Sequence, residues 1–373
     1  MDYERSERVL ILQGGGSLGA YECGVYKSLA KHDIKFDIIA GTSIGAVNAC
    51  IIAASKGDPV DTLQRFWNDI ASRVDDNYNN YYSLTPIIPL LGLNADTLRL
   101  VYNALYGNRL FIPRWFTISM DNLSPHSWTY IYDNEPLKYL LQDYVDLTLL
   151  KSNDRPRLIV TATDILEGKP VVFDSHSINI DVEHILASTS FPFYGIRWVR
   201  KDGRYLWDGS LLSNTPLREV IDASPKRDKI VYMVNLFPRR VKQLPKDMLS
   251  VVHRARDILY SEKVEHNIRL SKVISRYLRL LKEMHDVLMY IYDNIQVDES
   301  IRDRIRSIES EYHRLSVERG AIIRQVVRIE RKEKGYDNGL FEDADFSYKH
   351  IRMLIEQGER DADDVLKRLS NIK

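Results

Sequence analysis

The sequence predicts an α/β fold: a mostly parallel central sheet flanked by helices, with a C-terminal helical hairpin as an appendage. Three observations predict it. Apolar strand-like runs alternate with helix-like runs over the first 245 residues, an order that gives parallel strands joined by crossover helices on both faces of a sheet. Two of the early strand-to-helix junctions are glycine-rich turns. Charge density then rises, with 25 Lys or Arg and 24 Asp or Glu within residues 246–373. With 373 residues the chain exceeds the usual size of a single core, so two units are expected, 1–245 and 246–373.

The elements follow in order. RVLILQ (8–13) reads as a strand, GAYECGVYKSLAKH (19–32) as a helix, FDIIAGT (36–42) as a strand and IGAVNACIIAAS (44–55) as a helix. Residues 72–135 are less regular and include YNNYYSLTPIIPLLGL (78–93); this insertion suits a lid or acyl-chain wall, and equally helices that cover the sheet. RLIVTATDI (157–165) and KPVVFD (169–174) are strand-like runs joined at Glu167-Gly168, and KIVYMVNL (229–236) is another buried strand.

In the charged third, Leu270, Ile274, Tyr277, Leu281, Met284, Leu288 and Ile291 recur at spacings of four and three, the stripe a helix presents to a partner helix. Ile301, Ile305, Ile308, Tyr312, Leu315, Ile322, Val326 and Ile329 continue that beat. Asp298, between the stripes, is placed to cap the second helix. An antiparallel hairpin is expected, followed by a last helix near 347–370. The hairpin can pack on its own domain, pair with a second copy through 262–334, or dock a lipid surface or another protein.

Composition narrows the function. Basic and acidic side chains balance at 52 each, so no general attraction to nucleic acid or to an anionic membrane is implied. Cys23 and Cys50 are the only cysteines, each within an apolar helical run, which argues against a disulfide framework or a metal site and fits a reducing compartment. Neither a cofactor nor a metal is expected. The charged N-terminus has no apolar signal region, and no run approaches a membrane span. A cytoplasmic protein with at most peripheral membrane contact is expected.

The chemistry concentrates in three short stretches. LQGGGSLGAY (12–21) follows a strand and opens a helix; its glycines let N–H groups converge on an anion at the positive end of that helix. Gly14, Gly16 and Gly19 satisfy the dinucleotide-binding spacing, but the second strand ends in Gly41-Thr42-Ser43 where an acid would meet a ribose. The other anion is the oxyanion of an acyl-transfer intermediate. In a parallel βαβ unit the loops after successive strands share one sheet edge, so Ser43, in the G-x-S-x-G turn from Gly41 to Gly45, can face the glycine loop as a nucleophile. Taken alone, the same turn would also let Ser43 simply cap a helix.

A serine needs a base. None of the nine histidines follows a late strand as a hydrolase histidine would. Asp208 in RYLWDGSLLSNTPL (204–217) is the best carboxylate, because Gly209 permits a tight turn; Asp164 and Asp174 compete with it, and an ordinary Asp-Gly turn is the plain alternative.

Together, G-G-G-x-x-G at 14–19, G-x-S-x-G at 41–45 and Asp-Gly at 208–209 resemble the patatin-like phospholipases, and ILASTSFPFYG (185–195) is similar to the helix and proline turn before the family's aspartate. The resemblance covers about residues 8–240. It implies a three-layer sandwich, Ser43 as nucleophile, Asp208 as dyad partner, and an oxyanion hole from Gly14, Gly15, Gly16, Ser17 and Gly19, with Gly41, Gly45 and Gly209 supporting the turns. Leu18 stands where many members carry Arg or Lys, and Ser210 follows Asp-Gly where Gly or Ala is usual. The stretch LFEDADFSYKHIRMLIEQGERDA (340–362) resembles an extension of some bacterial and archaeal members. The expected function is lipid acyl hydrolysis through an acyl-serine, on a lipid or fatty-acyl ester substrate. The alternatives are an acyltransferase on the same dyad, a nucleotide-binding protein, and a non-catalytic helical assembly protein.

Overall fold

The computed structural model describes residues 6–82, 107–108, 110–116, 128–225, 227–242, 244–245, 248–296, 298–319, 321–332 and 342–371. Most of the insertion that the sequence offered as a lid or covering wall lies outside the described residues.

Strand β1 (Glu7–Leu12) leads through the glycine loop into α1 (Gly19–Lys31), and β2 (Ile38–Thr42) leads directly into α2 (Ile44–Ala54). Helix α3 spans Pro59–Tyr82, and the two-residue strands β3 (Ile112–Pro113) and β4 (Tyr132–Asp133) pair before α4 (Glu135–Tyr144). Then follow β5 (Arg157–Asp164), β6 (Lys169–Asp174), α5 (Val182–Ser188), β7 (Val199–Lys201), β8 (Arg204–Asp208), α6 (Leu217–Ala223) and β9 (Lys229–Asn235). The C-terminal third holds α7 (Met248–Asn294), α8 (Glu299–Arg319), β10 (Ile323–Glu330) and α9 (Tyr348–Ser370).

The main sheet runs β10-β9-β1-β2-β5-β8-β7, with β6 on the other edge of β5. From β10 to β5 every pairing is parallel, and β6, β7 and β8 pair antiparallel. The sheet is buried on both faces, as the near-continuous apolar strands require. Leu10 and Leu12 face α1, α2 and α9, whereas Val9, Ile11, Val231 and Met233 face α6 and the first half of α7, where Val264 and Ile268 are buried.

One sequence expectation is corrected here. Ile322, Val326 and Ile329 do not continue the second helical stripe: α8 ends at Arg319, and β10 pairs parallel with β9. The physical reason is β-branched density in IIRQVVRI, where Val327 and Ile329 bury at the strand period of two and Ile323, before a register shift, buries in the core on the other face. The proposed division at residue 245 is therefore crossed by strand pairing. It is crossed again by α9, which lies on α1. There Gly24 and Gly358 bring two helix backbones together, since a Cβ on Gly358 would lie 2.0 Å from the Tyr21 carbonyl oxygen.

The expected hairpin exists as α7 and α8. Helix α7 has 47 residues, about 70 Å at 1.5 Å per residue, and it reaches the sheet as far as Ser275, whose Oγ accepts Ile323 N–H at 3.0 Å. On its outer face and beyond, Leu270, Ile274, Tyr277, Leu281 and Met284 remain exposed. Among the described residues no helix is long and apolar enough to cross a membrane.

Candidate active site

Strand β5 positions the two central residues. Along one edge it pairs with β2 up to Thr42↔Thr161, and the next position, Ala162, pairs with Asp208 of β8. The end of β2 and the end of β8 thus meet at consecutive residues of a single strand. Their loops converge there.

Ser43 follows Thr42 with φ 56 and ψ −128, a conformation that costs a non-glycine residue on the order of 1–3 kcal/mol. Neighbours over-determine it. The Ser43 N–H donates to Ser188 Oγ at 2.9 Å, and the Ser43 carbonyl accepts from Ala46 N–H at 2.9 Å. Beneath the elbow, Thr42 Oγ1 bonds Thr161 Oγ1 at 2.6 Å and donates to the Ser213 carbonyl at 2.8 Å. Gly41 and Gly45 make the sharp turn possible, because a Cβ on Gly41 would lie 2.1 Å from the Gly45 carbonyl oxygen.

Asp208 is fully buried. Its Oδ1 accepts the Ser210 N–H at 2.8 Å, and Oδ2 has no standard hydrogen bond. Burial raises its pKa to about 6, against a lowering by the Ser43 hydroxyl and by Ser210. Its backbone is fixed on both sides: Asp208 N–H donates to the Ser190 carbonyl at 3.0 Å, and Thr163 Oγ1 donates to the Asp208 carbonyl at 3.0 Å. Gly209 packs against Thr161.

The competing carboxylates are engaged elsewhere. Asp164 Oδ1 accepts from Leu166 N–H and Glu167 N–H in the β5–β6 turn. Burial pushes the Asp174 pKa up, but Arg157, the His176 N–H and Ser177 together hold it below the usual range. No described histidine is hydrogen bonded to Ser43; His184 is held by Asp181 and Asp202.

The glycine loop faces the serine. A Cβ on Gly14 would lie 2.8 Å from Ser43 Cβ, and Asn214 Nδ2 donates to the Gly14 carbonyl at 3.2 Å. Among the described residues nothing accepts from the N–H groups of Gly14, Gly15 or Gly16. One member of the expected hole differs. Gly19 N–H is turned onto the Gly16 and Ser17 carbonyls and is already satisfied; Gly19 instead packs against Ile44 and Trp67. Ser17 is buried, with its hydroxyl on the Glu342 carbonyl at 2.8 Å. Leu18 is a fully buried core residue.

Sequence reasoning missed two supports. Glu22, buried in α1, accepts Gln13 N–H at 2.7 Å and Asn48 Nδ2 at 2.8 Å, and Asn48 Oδ1 accepts Trp67 Nε1 at 3.0 Å. This network ties the base of the glycine loop to the helix after Ser43. A carboxylate and an amide inside otherwise apolar helices were the signal. The second support comes from the chain's far end. The Asp343 carbonyl lies where a Gly16 Cβ would be, 2.2 Å away, at φ +58. The Asp343 carboxylate receives Tyr194 Oη and Arg256 Nη1, while Arg331 pairs with Glu342 at 2.7 Å. Residues 342–343 thus form a shelf behind the loop, with the Asp343 backbone against Gly16 and both carboxylates paired with arginines.

A strained serine between strand and helix, faced by a glycine loop at the sheet edge, is the arrangement of the α/β hydrolytic folds. Residues 10–221 match the patatin-like phospholipase family model, and the chain belongs to that family. It is 25% identical over 230 residues to a cGAMP-activated phospholipase of Escherichia coli (strain TW11681), covering 56% of this chain and 53% of that protein. Over 58 residues it is 43% identical to the triacylglycerol lipase SDP1L of Arabidopsis thaliana, covering 16% of this chain and 7% of that one. The chain thus spans about half or less of the curated relatives it matches. Among solved structures, VipD from Legionella pneumophila aligns with a TM-score of 0.42 at 13% identity, covering 98% of this chain and 67% of that one.

Proposed function

We propose that this chain is a lipid acyl hydrolase in which Ser43 is the nucleophile, Asp208 its base, and the N–H groups of Gly14, Gly15 and Gly16 the oxyanion hole. One observation carries the reading: the hydroxyl of a strained Ser43 meets the carboxylate of a fully buried Asp208, with Gly14 directly across. Family membership and the lipase and phospholipase names of the relatives support the substrate class.

In this mechanism ionised Asp208 takes the hydroxyl proton as Ser43 Oγ attacks the ester carbonyl. The tetrahedral oxyanion is held by the glycine-loop N–H groups, where losing one donor costs roughly 100- to 1000-fold in rate. Collapse passes the proton from Asp208 to the leaving alcohol and leaves an acyl-serine. Water, deprotonated by Asp208, then releases the fatty acid and returns the proton to Ser43. A base with a pKa near 6 is better matched to neutral pH than an ordinary aspartate.

Phe193, 80% exposed on the turn before β7, and the exposed Leu212 after Asp208 offer apolar surface beside these loops. Peripheral contact with a lipid surface is part of the proposal. The test is covalent labelling by a fluorophosphonate, together with fatty-acid release from phosphatidylcholine vesicles followed by mass spectrometry. Both should vanish in Ser43→Ala, and release should vanish in Asp208→Asn. Unchanged release in either variant would sink the dyad.

A further inference from the structure

The hairpin that the catalytic reading leaves unused carries a compact set of metal-binding groups. His285 lies on α7, and Glu309 and His313 lie one turn apart on α8. One ligand atom from each falls within 4.8 Å of the others. His313 Nε2 is 3.7 Å from Glu309 Oε1. The ring of His285 stacks on Tyr312 at a centroid distance of 4.0 Å and an interplanar angle of 15°, which fixes its plane. Its Nδ1 stands 3.6 Å from Asp286 Oδ1. The opposite nitrogen, Nε2, is buried and has no hydrogen-bond partner.

That division of the imidazole is informative. A metal-bound histidine commonly directs its other nitrogen to a carboxylate, which sets the tautomer and strengthens the ligand. Without a ligand, a buried ring nitrogen lacking a partner is a cost to the fold. We infer that His285, Glu309 and His313 form a binding site for Zn²⁺ or a similar transition ion that clips α7 to α8, with Asp286 as the outer partner of His285.

Two imidazoles and one carboxylate are a donor set suited to Zn²⁺, with water completing a tetrahedron, and are poorly suited to the all-oxygen preference of Mg²⁺. Zinc bonds of about 2.0–2.1 Å place tetrahedral ligand atoms about 3.4 Å apart. Side-chain rotation can close the present spread, since the His313 side chain is 64% exposed. The clip also answers a packing deficit. Among the described residues of α8, Ile305 is the buried apolar side chain, while Ile301 and Ile308 stay exposed. The cysteine count had spoken against a metal, but a site built across two helices has no sequence spacing to reveal it.

The test uses the untagged full chain, stripped with a chelator, equilibrated with Zn²⁺ and desalted, with bound metal measured by mass spectrometry and affinity by competition with a chromophoric chelator. One zinc per chain is expected, with none retained from Mg²⁺. His313→Ala, on an exposed position that should not disturb folding, and His285→Ala should each weaken binding at least 100-fold. Asp286→Asn should weaken it by about 10- to 100-fold. Absence of zinc from the unmodified chain, or equal retention by both histidine variants, would overturn the site.

Discussion

Replacing Asp208 with Asn should remove activity and make the protein more stable. The side chain is wholly buried, and its pKa stands at about 6 against an ordinary 3.8, chiefly because burial penalises the charge. A raised folded-state pKa means that the native protein holds this proton more tightly than the unfolded chain does. The associated stability is therefore present below about pH 4 and is lost as pH rises through about 6. At pH 8 the ionised carboxylate costs on the order of 3 kcal/mol, from about two units at 1.36 kcal/mol each. Asn keeps the shape and an acceptor for Ser210 N–H but carries no charge. With an unfolding entropy of about 2.1 cal/mol/K per residue, 3 kcal/mol over this chain corresponds to a rise of about 4 °C in Tm at pH 8. Differential scanning calorimetry of both proteins from pH 4.5 to 8 measures it. The gap should narrow toward the acid end, where wild-type Asp208 is itself neutral. An unchanged Tm at pH 8, or a gap that widens on acidification, would refute the account of Asp208 as a desolvated base.

Other outcomes follow from the same geometry. Because the base must be ionised, kcat/KM on a soluble ester should be half-maximal near pH 6 and fall about tenfold per unit below it, as read from a pH–rate profile. Gly14→Ala places a methyl 2.8 Å from Ser43 Cβ and 2.5 Å from Asn214 Oδ1; ester turnover should drop at least 100-fold while circular dichroism is preserved. Gly358→Ala sets a methyl 2.0 Å from the Tyr21 carbonyl and should lower stability by about 1–3 kcal/mol in denaturant titration. Phe193→Ser should slow hydrolysis of vesicle lipid several-fold and leave hydrolysis of a soluble short-chain ester unchanged.

Much of this was legible because it is local. The run from β1 to α2 could be read from apolar periodicity and two glycine turns, since each feature lies within a dozen residues of its cause. Residues 322–329 misled for the opposite reason. Ile322, Val326 and Ile329 fall on a helical beat by coincidence, and the choice of strand depends on pairing with β9 nearly a hundred residues earlier. Ser43 and Asp208 could be named from turn chemistry. Their juxtaposition could not, because it depends on β5 passing from β2 to β8 along one edge. Glu22 and Asn48 were visible as polar residues in apolar helices, but only the fold shows them bonded to each other. The Asp343 shelf had no local signature.

That shelf also imposes a timetable. During synthesis Ser43, the glycine loop and Asp208 all emerge well before residues 342–346, and Asp343 follows Gly16 by 327 positions. At 5–20 residues per second that interval is roughly 15–65 s. Throughout it Gly16 lacks the backbone that holds its left-handed turn and α1 lacks α9, and for most of it β9 lacks its outer strand. The nascent chain therefore carries Ser43, Asp208 and the glycine loop before the backbone of residues 342–343 and helix α9 are there to frame them.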